Sequence, residues 1–158
     1  LNLKPELVLD VVESAVTRIS RRTLTHEVRI EAENDLLMAN MDAPLIVQVL
    51  LNLLENAIKY TPAGSLILIR AIEAGDFVCV SVSDDGPGIS DENKLHVFDL
   101  FFTSAGVSSD ARRGLGLGLA LCRAIVSAHG GEITVSDHLP HGSVFMFTLP
   151  KAEVSLNE

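Results

Sequence analysis

The stretch Asn52-Leu53-Leu54-Glu55-Asn56-Ala57-Ile58-Lys59-Tyr60-Thr61 decides how this chain is read. It closes an apolar run from Leu45 to Ile58 that recurs at helical spacing and is too long for one strand. Gln48, Asn52, Glu55, Asn56 and Lys59 interrupt the run at i, i+4, i+7, i+8 and i+11, so they form one stripe along the helix. A solvated face is the ordinary meaning of such a stripe. Solvated faces, however, favour Glu, Lys, Arg and Gln, whereas Asn is a poor mid-helix residue. Two stacked amides, a carboxylate and an ammonium suit a hydrated divalent cation bound to phosphates. Amide oxygens are hard neutral ligands, and Mg²⁺ keeps waters and shares phosphate oxygens.

The bulk composition bounds the rest. A chain of 158 residues with 47% hydrophobic and 21% charged residues has globular proportions and fits one domain with its own core. We place that domain at residues 1–150 and a polar tail at 151–158. The formal net charge of −9 argues against nucleic acid or an anionic membrane as partner. A small anion stays compatible where donors are concentrated locally. No run of about 18 apolar residues predicts a membrane span, and no basic-then-apolar pattern predicts a signal peptide. No Met opens the chain, so we expect a piece of a longer protein. Cys79 and Cys122 are the two cysteines, read as small core residues in a reducing compartment.

In chain order, Pro5 opens a helical pattern through Ile19 with a basic end at Arg18, Arg21 and Arg22. Val28 and Ile30 alternate with charged residues and Asn34-Asp35 turns into Leu36-Leu37-Met38, which predicts a hairpin. Asp42 is the expected N-cap of the central helix, with Pro44 near its first turn. A second hairpin spans Leu66 to Asp84 across Gly75-Asp76. By the two-residue period, Asp84 shares a face with Val78, Val80 and Val82. A carboxylate there either caps the next turn or waits at the mouth of an apolar pocket for a ligand N–H. Gly86-Pro87-Gly88-Ile89 then makes a tight turn that lets the backbone approach a planar ligand. Residues 91–98 predict a short helix capped by Ser90, and Phe98, Phe101 and Phe102 read as core. The polar, aperiodic segment from Thr103 to Arg113 has the composition of a lid. Gly114-Leu115-Gly116-Leu117-Gly118-Leu119 leads into a helix ending at His129-Gly130-Gly131. A glycine-rich helix start offers free N–H donors to phosphates. No Gly-Lys-Ser/Thr follows and no strand precedes, so neither a P-loop nor a dinucleotide fingerprint fits. A third hairpin crosses Pro140-His141-Gly142.

Taken together, these motifs resemble the ATP-binding catalytic domain of sensor histidine kinases, in the superfamily shared with gyrase, Hsp90 and MutL. Asn52 to Thr61 resembles the N box, Asp84-x-Gly86-Pro87-Gly88 the first glycine box, Phe98-x-x-Phe101-Phe102 the F box and Gly114-x-Gly116-Leu117-Gly118 the second glycine box. Gly142-Ser143 stands where the last small glycine motif falls, and residues 117–126 look most like KdpD-type kinases. The resemblance implies an α/β two-layer sandwich: a mixed, mostly antiparallel sheet with helices on one face. It implies ATP and Mg²⁺ as cofactors. Asn56 would bind the metal with Asn52 beside it, Lys59 would meet phosphate and Tyr60 would lie against the nucleotide. Asp84 would accept the adenine amino group, with Gly86, Gly88 and Ile89 around the base. Arg113, Gly114, Leu115, Gly116, Leu117 and Gly118 would hold phosphates; at Leu115, in place of the family's Thr or Ser, only the backbone N–H is available. Glu55 would assist the transfer, with Asn52 beside it.

The same resemblance implies phosphoryl transfer to a histidine on a separate dimerisation domain and a response regulator downstream, from a cytoplasmic, monomeric domain of a membrane-bound sensor. His26-Glu27 is the only His-acid pair, and its alternating neighbours make it strand, not acceptor. His96, His129, His138 and His141 read as surface or turn residues. A water-activating ATPase of the superfamily carries Glu where Asn52 stands, and Asn is no base. A nucleotide-binding regulatory module without turnover is the other alternative.

Overall fold

The computed structural model describes residues 1–21, 25–100, 102–103, 106–107 and 118–152. Its centre is a five-stranded sheet. The strands are β2 (Glu27–Ala32), β4 (Leu66–Ala74), β5 (Phe77–Asp84), β9 (Ser143–Pro150) and β8 (Ile133–Asp137), in the order β2-β4-β5-β9-β8. Only the β2–β4 pair is parallel; β4–β5, β5–β9 and β8–β9 are antiparallel. A separate two-stranded sheet joins β1 (Lys4–Leu7) to β3 (Met38–Met41). A short pair, β6 (Phe102–Thr103) and β7 (Gly106–Val107), completes the strands among the described residues. The expected mixed, mostly antiparallel two-layer arrangement is present.

Three helices cover one face of the sheet: α1 (Val8–Ser20), α2 (Ala43–Lys59) and α4 (Gly118–Ala128). The middle one, α2, packs against both others and against β4 and β5. Its length follows from its composition. Ile46, Val47, Val49, Leu50, Leu51, Leu53, Leu54 and Ala57 are all buried, which leaves only the narrow polar stripe facing out. From the sheet, Ile67, Ile69 and Ala71 of β4 and Val78, Val80 and Val82 of β5 meet them. α4 contributes Cys122, Ile125 and Val126, and β9 contributes Phe145, Phe147 and Leu149. The short helix α3 (Asp91–Lys94) starts as expected at Ser90, whose hydroxyl accepts from the Asn93 N–H at 3.1 Å. It ends four residues earlier than the spacing predicted, and Val97 and Phe98 enter the core from a turn. Phe98 meets Phe145 edge-on, with centroids 6.0 Å apart.

Several sequence-based expectations are corrected. Pro5 lies in strand β1 opposite Asn40, and the helix begins three residues later at Val8. The chain after β2 does not fold back as a hairpin. Asn34 makes the expected turn, its Oδ1 accepting from the Leu36 N–H at 2.8 Å. That turn carries the chain out of one sheet into another, since β2 pairs with β4 and β3 with β1. A turn signal marks a change of direction and says nothing about the partner. Asp42 is the N-cap of α2 without a side-chain capping bond; its Oδ2 instead accepts from the Asn2 N–H at 3.1 Å. Cys79 sits half-buried on the outer face of the sheet, whereas Cys122 is in the core. The tail begins later than Lys151. Lys151 bridges to Ala39, and buried Ala152 donates its N–H to the Met38 carbonyl.

Candidate functional site

The polar stripe of α2 faces out at the end of the helix where β5 finishes. Gln48, Glu55 and Lys59 are exposed and Asn52 and Asn56 half-buried. Both ends of the Asn52 amide are engaged. Its Oδ1 accepts from Gln48 Nε2 at 3.1 Å, and its Nδ2 donates to the Gly118 carbonyl at 3.4 Å. The first residue of α4 therefore rests on the stripe. A Cβ built on Gly118 would lie in ordinary contact, 3.7 Å from Asn52 Cγ. Past the helix end, Lys59 Nζ stands 5.3 Å from the Tyr60 ring centroid.

Asp84 is where the sequence placed it. It ends β5 on the valine face and is 6% exposed. Its Oδ1 accepts two backbone N–H groups, from Gly86 at 3.0 Å and from Ser143 at 3.3 Å. Burial raises the pKa of this carboxyl, and the two N–H donors work against that. The glycine turn is pressed against the end of α2. A Cβ on Gly86 would come within 2.8 Å of Thr61 Cγ2 and 3.0 Å of the Tyr60 carbonyl. Only glycine lets the turn lie this close to the helix. Gly88 has φ +82° and adjoins the Gly142 carbonyl. Ile89 is half-buried and packs on the core. Thr61 is itself held twice: its hydroxyl donates to the Ala57 carbonyl at 2.7 Å and accepts from His26 Nε2 at 2.8 Å.

Of the residues singled out from sequence, Asn52, Glu55, Asn56, Lys59, Tyr60, Asp84, Gly86, Gly88, Ile89 and Gly118 lie among the described residues. Two direct contacts, Gly86 on Tyr60–Thr61 and Gly118 on Asn52, join the three motifs that carry them. Arg113, Gly114, Leu115, Gly116, Leu117 and Phe101 lie outside the described residues. Of the histidines read as surface or turn residues, His138 and His141 do lie in the turn between β8 and β9, with His141 exposed, whereas His129 is buried. His129 is 3% exposed; its Nδ1–H donates to the Ile125 carbonyl at 2.8 Å and its Nε2 accepts from the Asp42 N–H at 3.0 Å. His138 Nδ1 bonds the Asp84 carbonyl at 3.0 Å, and His141 Nδ1 bonds the Gly86 carbonyl at 3.2 Å. Nothing in the spacing of His138 and His141 points to the turn they touch, because each contact crosses more than fifty residues.

A buried strand-end carboxylate, a glycine turn and an amide-bearing helix in this order also match a known sequence profile. The profile of histidine kinase-, DNA gyrase B-, and HSP90-like ATPases covers residues 41–153. The chain belongs to this family. Within it, the chain is similar to histidine kinases. The sensor protein KdpD of Clostridium acetobutylicum is 44% identical over 146 residues, which is 92% of this chain and 16% of that protein. The nucleotide-free catalytic domain of the histidine kinase ThkA shares the fold with a TM-score of 0.83 at 31% identity, over 96% of this chain and 97% of that one. ThkA in complex with the response regulator protein TrrA matches with a TM-score of 0.80 at 30% identity, over 95% of this chain and 42% of that one. This ATPase domain thus corresponds to the catalytic part of a histidine kinase and spans about a sixth of the KdpD relative's length. No described helix is long and apolar enough to cross a membrane.

Proposed function

We propose that this domain binds Mg²⁺-ATP and hands its γ-phosphoryl group to a histidine on a separate dimerisation domain, in a two-component sensor kinase. The observation that carries the reading is Asp84. It is a buried, acceptor-only carboxylate whose Oδ1 is committed to backbone donors, on a glycine turn packed under the end of the Asn-bearing helix. A carboxylate in an apolar setting is suited to an amino group on a flat base, and Gly86 lets the turn that carries it pack directly against the end of α2.

The donor set of α2 fits the metal and the phosphates. Asn56 and Asn52 present amide oxygens, Lys59 an ammonium and Tyr60 an aromatic face. Mg²⁺ would neutralise phosphate charge at Asn56, with Asn52 beside it. The Gln48 and Gly118 bonds orient the Asn52 amide so that its oxygen faces along the stripe. Gly114, Gly116 and Gly118, with the N–H of Leu115 and Leu117 and the charge of Arg113, would hold the phosphate tail at the start of α4. Phosphoryl transfer asks the protein for positioning and charge neutralisation more than for covalent help. Glu55, exposed on the same stripe, is the residue to accept or polarise a proton at the incoming histidine. Asn52 has no base to offer water, which disfavours hydrolysis.

The relative ThkA forms a complex with a response regulator. A regulator of that kind is the onward acceptor we assign to the whole protein, together with a cytoplasmic placement beside a membrane-bound sensor. The test of the site is equilibrium binding of Mg²⁺-ATP to wild type and Asp84→Asn. The variant is expected to bind about tenfold to a hundredfold more weakly. Equal affinity would remove Asp84 from the site.

A further inference from the structure

The connection between β8 and β9, residues 138–142, grips the turn that presents Asp84. Its contacts are on the backbone of that turn. His138 Nδ1 lies 3.0 Å from the Asp84 carbonyl and His141 Nδ1 lies 3.2 Å from the Gly86 carbonyl. A carbonyl oxygen only accepts, so each ring carries its proton on Nδ1 and donates. Between the two, Ser143 donates its N–H to Asp84 Oδ1. Gly142, at φ +119°, runs so close that a Cβ there would stand 1.9 Å from the Asp84 carbonyl oxygen. The connection is itself tied by the His138 N–H to the Gly142 carbonyl at 3.0 Å. The turn from Asp84 to Gly88 is therefore held from two sides: by Tyr60 and Thr61 of the α2 end, and by this connection.

We propose that His138 and His141 are positioning residues for recognition of the nucleotide base. Their Nδ1–H groups hold the carbonyls on either side of Asp85 and so fix the direction in which the Asp84 carboxylate faces. They also occupy two strong acceptors that would otherwise compete with the carboxylate for the base's donors. The phosphate side of the site, on α2 and the start of α4, is built from other elements and does not depend on them. The inference rests on the nucleotide reading above.

The experiment compares Mg²⁺-ATP and Mg²⁺-tripolyphosphate binding across His138→Ala, His141→Ala, the double Ala variant and the matching Asn variants, with thermal midpoints recorded without ligand. Asn keeps an N–H donor on the same Cγ position that Nδ1 occupies in histidine. Each Ala change is expected to weaken ATP binding about threefold to tenfold, the double change more, with tripolyphosphate binding unchanged. The Asn variants are expected to recover most of the ATP affinity. ATP binding indifferent to both Ala changes, Asn variants as weak as Ala, or equal loss of ATP and tripolyphosphate would each overturn the proposal. Absence of ATP binding by the wild-type chain would overturn the nucleotide reading and this inference with it.

Discussion

At the scale of single residues, Asp84 sets stability against the proposed function. Its folded-state pKa is raised above the usual carboxylate value by burial. A raised folded pKa means that folding favours the protonated form. The sign follows: ionisation costs stability as pH climbs from the unfolded pKa through the folded one, and that cost is fully present at neutral pH. Asp84→Asn keeps the Oδ1 acceptor for Gly86 and Ser143 and removes the charge. It is therefore expected to raise the thermal midpoint at neutral pH while it weakens ATP binding. The gain should shrink as pH falls into the range where Asp84 protonates. A midpoint lowered at pH 7 by this substitution would contradict the account. The cysteines give a second residue-scale test. Burial pushes the Cys122 thiol up to about 12, and its Sγ–H points at the Val49 carbonyl 3.7 Å away. Cys79 is half-buried on the outer face of the sheet. Alkylation at pH 8, followed by mass spectrometry, should label Cys79 well before Cys122, and Cys122 only on unfolding. Asp84 was legible from the two-residue alternation of β5, because one strand's geometry fixes which face a residue takes. The buried His129 was not, because nothing in its own neighbourhood tells that the Asp42 N–H, 87 residues away, will meet its ring.

At the scale of elements, α2 was the most legible part of the sequence. An apolar run of its length has one way to fold, and the stripe that remains must face the open side. Its packing makes a plain prediction. Leu54 is fully buried, and Leu54→Ala should cost about 2–5 kcal/mol in denaturant unfolding. The hairpins β4–β5 and β8–β9 were legible because a short connection of turn-forming residues joins two alternating strands. The parallel edge pairing of β2 with β4 was not, since parallel partners are joined through other elements and no local signal names them. Two glycines separate fold from site. Gly131 would place a Cβ 1.8 Å from the Thr148 carbonyl, and Gly142 one 1.9 Å from that of Asp84. Gly131→Ala and Gly142→Ala are both expected to lower the thermal midpoint. Only Gly142→Ala should also weaken ATP binding by the protein that remains folded. In Gly142→Ala the left-handed φ adds strain of about 1–3 kcal/mol. Equal affinities in the two variants would show that the β8–β9 connection has no part in the site.

At the scale of the whole molecule, the fold brings three distant motifs to one end of a two-layer sandwich. The contacts of Gly86 with the α2 end and of Gly118 with Asn52 are what join them. Their order along the chain was readable, and with it the family. The contacts between them were not, because they depend on how the α2 end, the β5 turn and the α4 start meet in space. In the proposed reading, what the site does with ATP turns on Asn52, an amide where the resemblance places a carboxylate in the water-activating ATPases. The most direct measurement supplies γ-labelled Mg²⁺-ATP to the domain with and without a separately prepared histidine-bearing dimerisation domain. Labelled protein and free phosphate are followed together. The account predicts label on the added domain's histidine, strongly reduced in Asp84→Asn at ATP well below saturation, with little free phosphate when the domain is alone. Rapid release of phosphate by the domain alone, with no label on the acceptor, would contradict it.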